Sequence, residues 1–109
     1  MEVNKVGEIT VVTILTRVDA NSAKAVETKM SELLSGGTKK IVCNFSQNEY
    51  ISSAGLRVFL SVLKTMRKSG GSIALCSLRP QVSEVFDMAG FIPLFTICDT
   101  ADEAIQQLS

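Results

Sequence analysis

Ile9, Val11, Thr13 and Leu15 alternate with Thr10, Val12, Ile14 and Thr16, a β-rich run. A shorter run from Val3 to Val6 precedes it across Gly7-Glu8, so the chain is predicted to open with a hairpin. After Asp19 and Asn21, both able to cap a helix, Ala23, Val26, Met30, Leu33 and Leu34 recur at helical spacing until Gly36-Gly37. Ile41 to Phe45 reads as a short buried strand. From Ser53 to Lys68 a second helix carries Leu56, Phe59, Leu60, Leu63 and Met66 on one stripe. Lys64, Arg67 and Lys68 suit its negative end, and Gly70-Gly71 stops it. Ser72 to Cys76 predicts another strand and Pro80 to Ala89 another helix, with Val82, Val85 and Phe86 inward. Phe95 to Cys98 and Ala101 to Leu108 supply a last strand and helix. Strands that alternate with helices imply βαβ crossovers, hence a small α/β domain whose mixed sheet is mostly parallel apart from the opening hairpin.

A length of 109 residues fits one domain, 1–109, with no room for a second core. A hydrophobic fraction of 46% with 20% charged residues excludes disordered, collagen-like and coiled-coil classes. Eleven basic and eleven acidic residues cancel, which removes the positive field that a nucleic-acid or anionic-membrane binder needs. The longest apolar run, near Ile9 to Leu15 and broken by Thr10 and Thr13, is far short of the ~20 residues that cross a bilayer. No basic segment leads into an apolar stretch and cleavage site, so no membrane insertion is expected and a cytoplasmic location is.

Cys43, Cys76 and Cys98 sit among apolar or β-branched neighbours and read as core thiols rather than a disulfide framework or metal site. The chain contains no histidine, the side chain most used for general base work and zinc ligation. No phosphate loop or metal set is present either, so neither an enzyme nor a bound cofactor is expected. A residual enzymatic reading would have to use Cys76 or Asp99 without an accompanying base.

The informative stretch runs from Asn48 to Val58, between a buried strand and a helix. Open α/β sheets commonly place their sites at such carboxyl strand ends. Ser52 and Ser53 put two hydroxyls at a helix N-terminus. One is expected as an N-cap, and either could accept a phosphate that the positive end of the helix dipole accommodates. Spacing leaves both readings open.

Tyr50-Ile51-Ser52-Ser53-Ala54-Gly55-Leu56 resembles the signature of the anti-sigma factor antagonist family, the STAS domains. Val18-Asp19 before a helix is similar to the family's Leu-Asp segment, and Ile41-Val42-Cys43-Asn44-Phe45-Ser46 to its Val-x-Leu-Asp/Asn-Leu-Ser strand end. Gly70-Gly71-Ser72-Ile73-Ala74-Leu75 and Val85-Phe86-Asp87-Met88-Ala89-Gly90-Phe91 resemble its glycine turn and the end of its hydrophobic-Phe-x-x-x-Gly helix. In the family pattern Asp-Ser-Ser/Thr-Gly-Leu the phosphate goes to the Ser two positions before Gly, which implies Ser53 here. Ser52 stands where Asp is usual and Ala54 where a second hydroxyl is usual, leaving Ser52 as a secondary acceptor.

The resemblance implies a partner-switching protein. Its unphosphorylated form binds an anti-sigma factor serine kinase and frees a sigma factor; phosphorylation by the kinase's ATP releases it, and a separate phosphatase restores it. A partner-binding face of Asp19, Asn44, Ser46, Ser52, Ser53, Ala54, Gly55 and Arg57 is implied, although Asp19, Asn44 and Ser46 also suit purely local capping. A STAS subunit that does not switch, in a scaffold or beside a transport ATPase, is the alternative.

Overall fold

The computed structural model describes residues 1–109. β1 (Glu2–Val6) and β2 (Ile9–Thr13) form the expected antiparallel hairpin. At its turn Gly7 has φ +62, a left-handed conformation that L side chains rarely adopt. After β3 (Arg17–Val18) come α1 (Ala20–Ser35), β4 (Lys40–Asn44), β5 (Tyr50–Ile51) and α2 (Ser53–Lys68). β6 (Ser72–Cys76), α3 (Pro80–Met88), a 3₁₀ turn at Ile92–Leu94, β7 (Thr96–Cys98) and α4 (Ala101–Leu108) complete the chain. The main sheet has the order β1-β2-β4-β6-β7, parallel throughout except for the hairpin. The α/β fold with a mixed, mostly parallel sheet is therefore as the sequence predicts.

The near-continuous apolar runs of β2, β4 and β6 follow from burial on both faces. Period-two alternation sends Val12, Cys43, Ile73 and Leu75 into one cluster, with α1, α2 and α3. Ile9, Val11, Val42, Ala74 and Cys76 point the other way, against Ala104 and Leu108 of α4. On the larger side Phe45 lies 5.2 Å from Phe59 and 5.8 Å from Phe86, ring centre to ring centre, and Phe86 lies 6.0 Å from Phe95. These tilted and edge-on contacts are the geometries aromatic quadrupoles prefer.

Two assignments need correction, at Leu60 and Cys98. Leu60 is only half-buried, while Val58 and Val62 are buried with Leu56, Phe59, Leu63 and Met66. α2 packs on the sheet and on α1 together, so its apolar arc is wider than the stripe through Leu60 and displaced from it. Val85 of α3, and Leu33 and Leu34 of α1, pack inward against the core as their spacing predicts, half-buried at its margins. Cys43 and Cys76 are buried as expected, but Cys98 on the edge strand β7 is partly exposed.

Two-residue strands β3 and β5 were not visible as periodic runs. They pair in parallel, Arg17 with Tyr50 and Val18 with Ile51, as a separate small sheet. Its buried side carries Val18 and Ile51; alternation places Arg17, Asp19, Tyr50 and Ser52 on the other side. No helix is long and apolar enough to cross a membrane.

Candidate functional site

The small sheet delivers two helix starts side by side. The Ser52 N–H donates to the Val18 carbonyl at 2.8 Å, and α1 begins just after Asp19, α2 just after Ser52. The two helices then pack against each other. Asn48 anchors this arrangement from below. Fully buried, its Nδ2 donates to the Leu15 carbonyl at 2.8 Å and to the Tyr50 carbonyl at 3.0 Å, joining the β4–β5 loop to the chain that leaves β2. Its Oδ1 is buried without a partner. Gly55 closes the junction: a Cβ there would lie 2.8 Å from both the Ile51 Cγ1 and the Val18 Cγ1. Any larger residue would wedge α2 away from the small sheet.

The two serines have different surroundings. Ser52 is the N-cap of α2, with extended backbone, and its hydroxyl accepts the Gly55 N–H at 3.2 Å. Ser53, the first helical residue, is exposed, and its hydroxyl is not held in that bond. α2 has no acidic residue in its first turn, so the positive end of its dipole is uncompensated there.

Charged groups border this corner. The Arg17 Nε lies 3.5 Å from the Asp19 Oδ2, and its guanidinium sits 4.2 Å from the centre of the Tyr50 ring. On the other side Arg79 donates from Nε to the Ser46 carbonyl at 3.2 Å and lies 3.5 Å from the Glu49 Oε1. No comparable cluster of three or more His, Cys, Asp or Glu side chains able to hold a metal is present. The largest surface depression, about 480 Å³, is lined by Cys98, Asp99 and Glu103 beside α4, on the other face of the main sheet. Burial pushes the Cys43, Cys76 and Cys98 thiols up from their ordinary value, and the neighbouring Glu103 and Asp99 carboxylates add to this at Cys98. A thiolate nucleophile needs the opposite shift.

The STAS domain family model matches residues 1–104. The chain belongs to the STAS domain family. Among curated relatives, BtrV of Bordetella bronchiseptica, provisionally assigned as an anti-sigma factor antagonist, is 36% identical over 87 residues, covering 80% of this chain and 75% of its own. The anti-sigma-B factor antagonist of Bacillus subtilis is 28% identical over 95 residues, 87% of this chain and 86% of that protein. A crystal structure of a Thermotoga maritima protein, also provisionally assigned as an anti-sigma factor antagonist, superposes with a TM-score of 0.91. That structure is 26% identical in sequence, over 98% of this chain and 92% of the other.

Within this STAS domain, Asp19, Ser52, Ser53, Ala54, Gly55 and Arg57 cluster at the two helix starts. Asn44 and Ser46 lie at the end of β4, where the Asn44 Oδ1 accepts the Ser46 N–H at 2.9 Å, a local turn. Ser46 reaches the corner through its carbonyl and Arg79. Arg17 and Arg79 flank the site although no sequence pattern singles them out, and Glu49 and Tyr50, which lie in the informative stretch, are assigned no role there; their pairings are set by the register of β3 with β5 and by the fold of the β4–β5 loop.

Asp19 has a definite local role. Its Oδ1 accepts the Ser22 and Asn21 N–H groups at 2.9 and 3.0 Å, and the Ser22 hydroxyl accepts the Asp19 N–H, a reciprocal capping box. The Ser22 backbone bond, then the Ser22 hydroxyl, hold its carboxyl below the ordinary value of 3.8. A depressed folded pKa means the stabilisation is present above the unfolded value and disappears as pH falls through the folded one. In urea melts, Asp19→Ala should therefore lower the midpoint at pH 7, and the gap from the unsubstituted protein should close as the pH is taken below 3.8. A gap of constant size across that window would remove the carboxylate from the cap.

Proposed function

We propose that this STAS domain is an anti-sigma factor antagonist that works by binding rather than catalysis. Its unphosphorylated form binds an anti-sigma factor serine kinase, so freeing a sigma factor, and phosphorylation of Ser53 ends the complex. The supporting observation is the division of labour between the two serines: the Ser52 hydroxyl is held in the cap, while Ser53 is exposed at the helix start. The names of the curated relatives support the antagonist role. In the transfer the Ser53 Oγ forms a bond to the γ-phosphorus of ATP, the bond to the departing ADP oxygen breaks, and a base on the kinase takes the hydroxyl proton. ATP belongs to the kinase, so the STAS domain needs no cofactor of its own. A separate phosphatase hydrolyses the ester and resets the switch. This exchange would take place in the cytoplasm, and it calls for neither nucleic acid nor insertion into a membrane.

Incubating the protein with the host's cognate kinase and ATP, followed by intact-mass and peptide mass spectrometry, tests this reading. One phosphate should appear on the peptide holding Ser53, Ser53→Ala should abolish it, and Ser52→Ala should retain most of it. Normal incorporation into Ser53→Ala would move the acceptor elsewhere. An unsubstituted protein that binds the kinase and stays unmodified would point to a STAS subunit that does not switch.

A further inference from the structure

Three of the four arginines are already engaged. Arg17 pairs with Asp19 at 3.5 Å, Arg67 donates to the Leu94 carbonyl at 3.0 Å, and Arg79 holds the Ser46 carbonyl at 3.1 Å and Glu49 at 3.5 Å. Arg57 alone has neither an ion pair nor a hydrogen bond, and it is exposed on α2. It follows Ser53 by four residues, one helical turn, so the two side chains share a face with Cβ atoms about 5–6 Å apart. Helical side chains lean toward the N-terminus, which directs the Arg57 stem back over the turn that holds Ser53. An anion placed four residues before a cation is also the more favourable order along a helix.

We propose that Arg57 is the internal counter-ion of a phosphate on Ser53, so that phosphorylation withdraws from the partner-binding face the one arginine that the unmodified protein leaves free. This rests on Ser53 being the phosphorylated residue. A guanidinium can present two parallel N–H donors to two phosphate oxygens, which lysine cannot. In the unmodified protein the same guanidinium is hydrated and open to a partner's carboxylate or carbonyl. One covalent change therefore alters the face twice, by adding an anion and by occupying a cation.

The other charged groups at this corner are already committed. Asp19 and Arg17 face each other on the β3–α1 side, and Glu49 and Arg79 do so beyond β5. Arg17 is the rival counter-ion, since it sits on the small sheet next to Tyr50. To take the phosphate it would have to give up both Asp19 and the Tyr50 ring.

The test uses the full chain with phosphoserine installed at position 53 during synthesis, which makes it independent of any kinase. Phosphorus NMR titration reads the second ionisation of the phosphate, whose unperturbed pKa is about 6. Arg57→Gln should raise that pKa by about 0.15–0.4 unit relative to the unsubstituted chain, with Arg57→Lys recovering part of the shift. The difference should shrink at high salt, as expected for an exposed pair. Arg17→Gln should leave the pKa unchanged. Identical midpoints with and without Arg57, or a shift produced by Arg17→Gln instead, would overturn the proposal. If the cognate kinase ignores Ser53, the functional reading fails while the titration result stands on its own.

Discussion

Phe59→Ala is expected to be the most damaging single truncation of α2, at about 3–5 kcal/mol. The ring is fully buried and 5.2 Å from Phe45, so its removal leaves a cavity and strips Phe45 of one of its two aromatic contacts. A domain of this size has only about 5–15 kcal/mol in total. At about 4–8 °C per kcal/mol for a small domain, the melting temperature should fall by on the order of 15 °C. Leu60→Ala, one residue along, should cost clearly less, because Leu60 is half-buried at the border of the arc. Equal losses in the two variants would mean that α2 is rotated from the position described.

The contrast between neighbouring residues shows how far the sequence can be read. Helices and main strands were legible because burial imposes a period: Val12, Cys43 and Leu75 face one layer, Val11, Val42 and Ala74 the other. What the period does not show is how many neighbours a helix has. α2 packs on both the sheet and α1, and its buried arc takes in Val58 and Val62 while Leu60 stays at the margin. Cys98 is similar: its strand was recognisable, but its position at the open edge of the sheet depends on strand order.

The site was legible in its chain-local parts and not in its long-range ones. A serine before a helical stripe, followed by glycine, is a local signal, and both helix caps fall where Asp19 and Ser52 suggest. Assigning the cap to Ser52 and leaving Ser53 exposed needed the backbone geometry. Asn48 opens the informative stretch without a role that the sequence assigns, yet its two bonds to the Leu15 and Tyr50 carbonyls hold the corner together. Arg17 over Tyr50 depends on a two-residue parallel pairing between segments 33 positions apart, which leaves no periodic trace.

Phosphorylation of Ser53 should weaken kinase binding by on the order of 10²–10³-fold while leaving the fold intact. A phosphate brings about −1.5 to −2 charge near neutral pH, and at the first turn of α2 it meets the positive dipole end with no acidic neighbour in that turn to oppose it. The folded state therefore tolerates it. At an interface closed over Ser53 the same dianion must be stripped of water or set against groups chosen for a neutral hydroxyl. Mismatched charge at an interface costs several kcal/mol, and each ~1.4 kcal/mol is tenfold in affinity. Ser53→Ala should keep the affinity of the unmodified protein, because only a small exposed hydroxyl is lost. Ser53→Asp should weaken binding less than phosphate does, having less charge and volume. Ser52→Ala separates cap from switch: loss of the bond to the Gly55 N–H should cost about 1 kcal/mol of stability and leave the effect of phosphorylation in place. Calorimetric titration into the kinase of the unmodified and phosphorylated protein, Ser53→Ala, Ser53→Asp, and Ser52→Ala with and without phosphate, with circular dichroism to exclude unfolding, measures each step. If a protein confirmed to carry phosphate on Ser53 bound as tightly as the unmodified one, release would have to arise somewhere other than this corner.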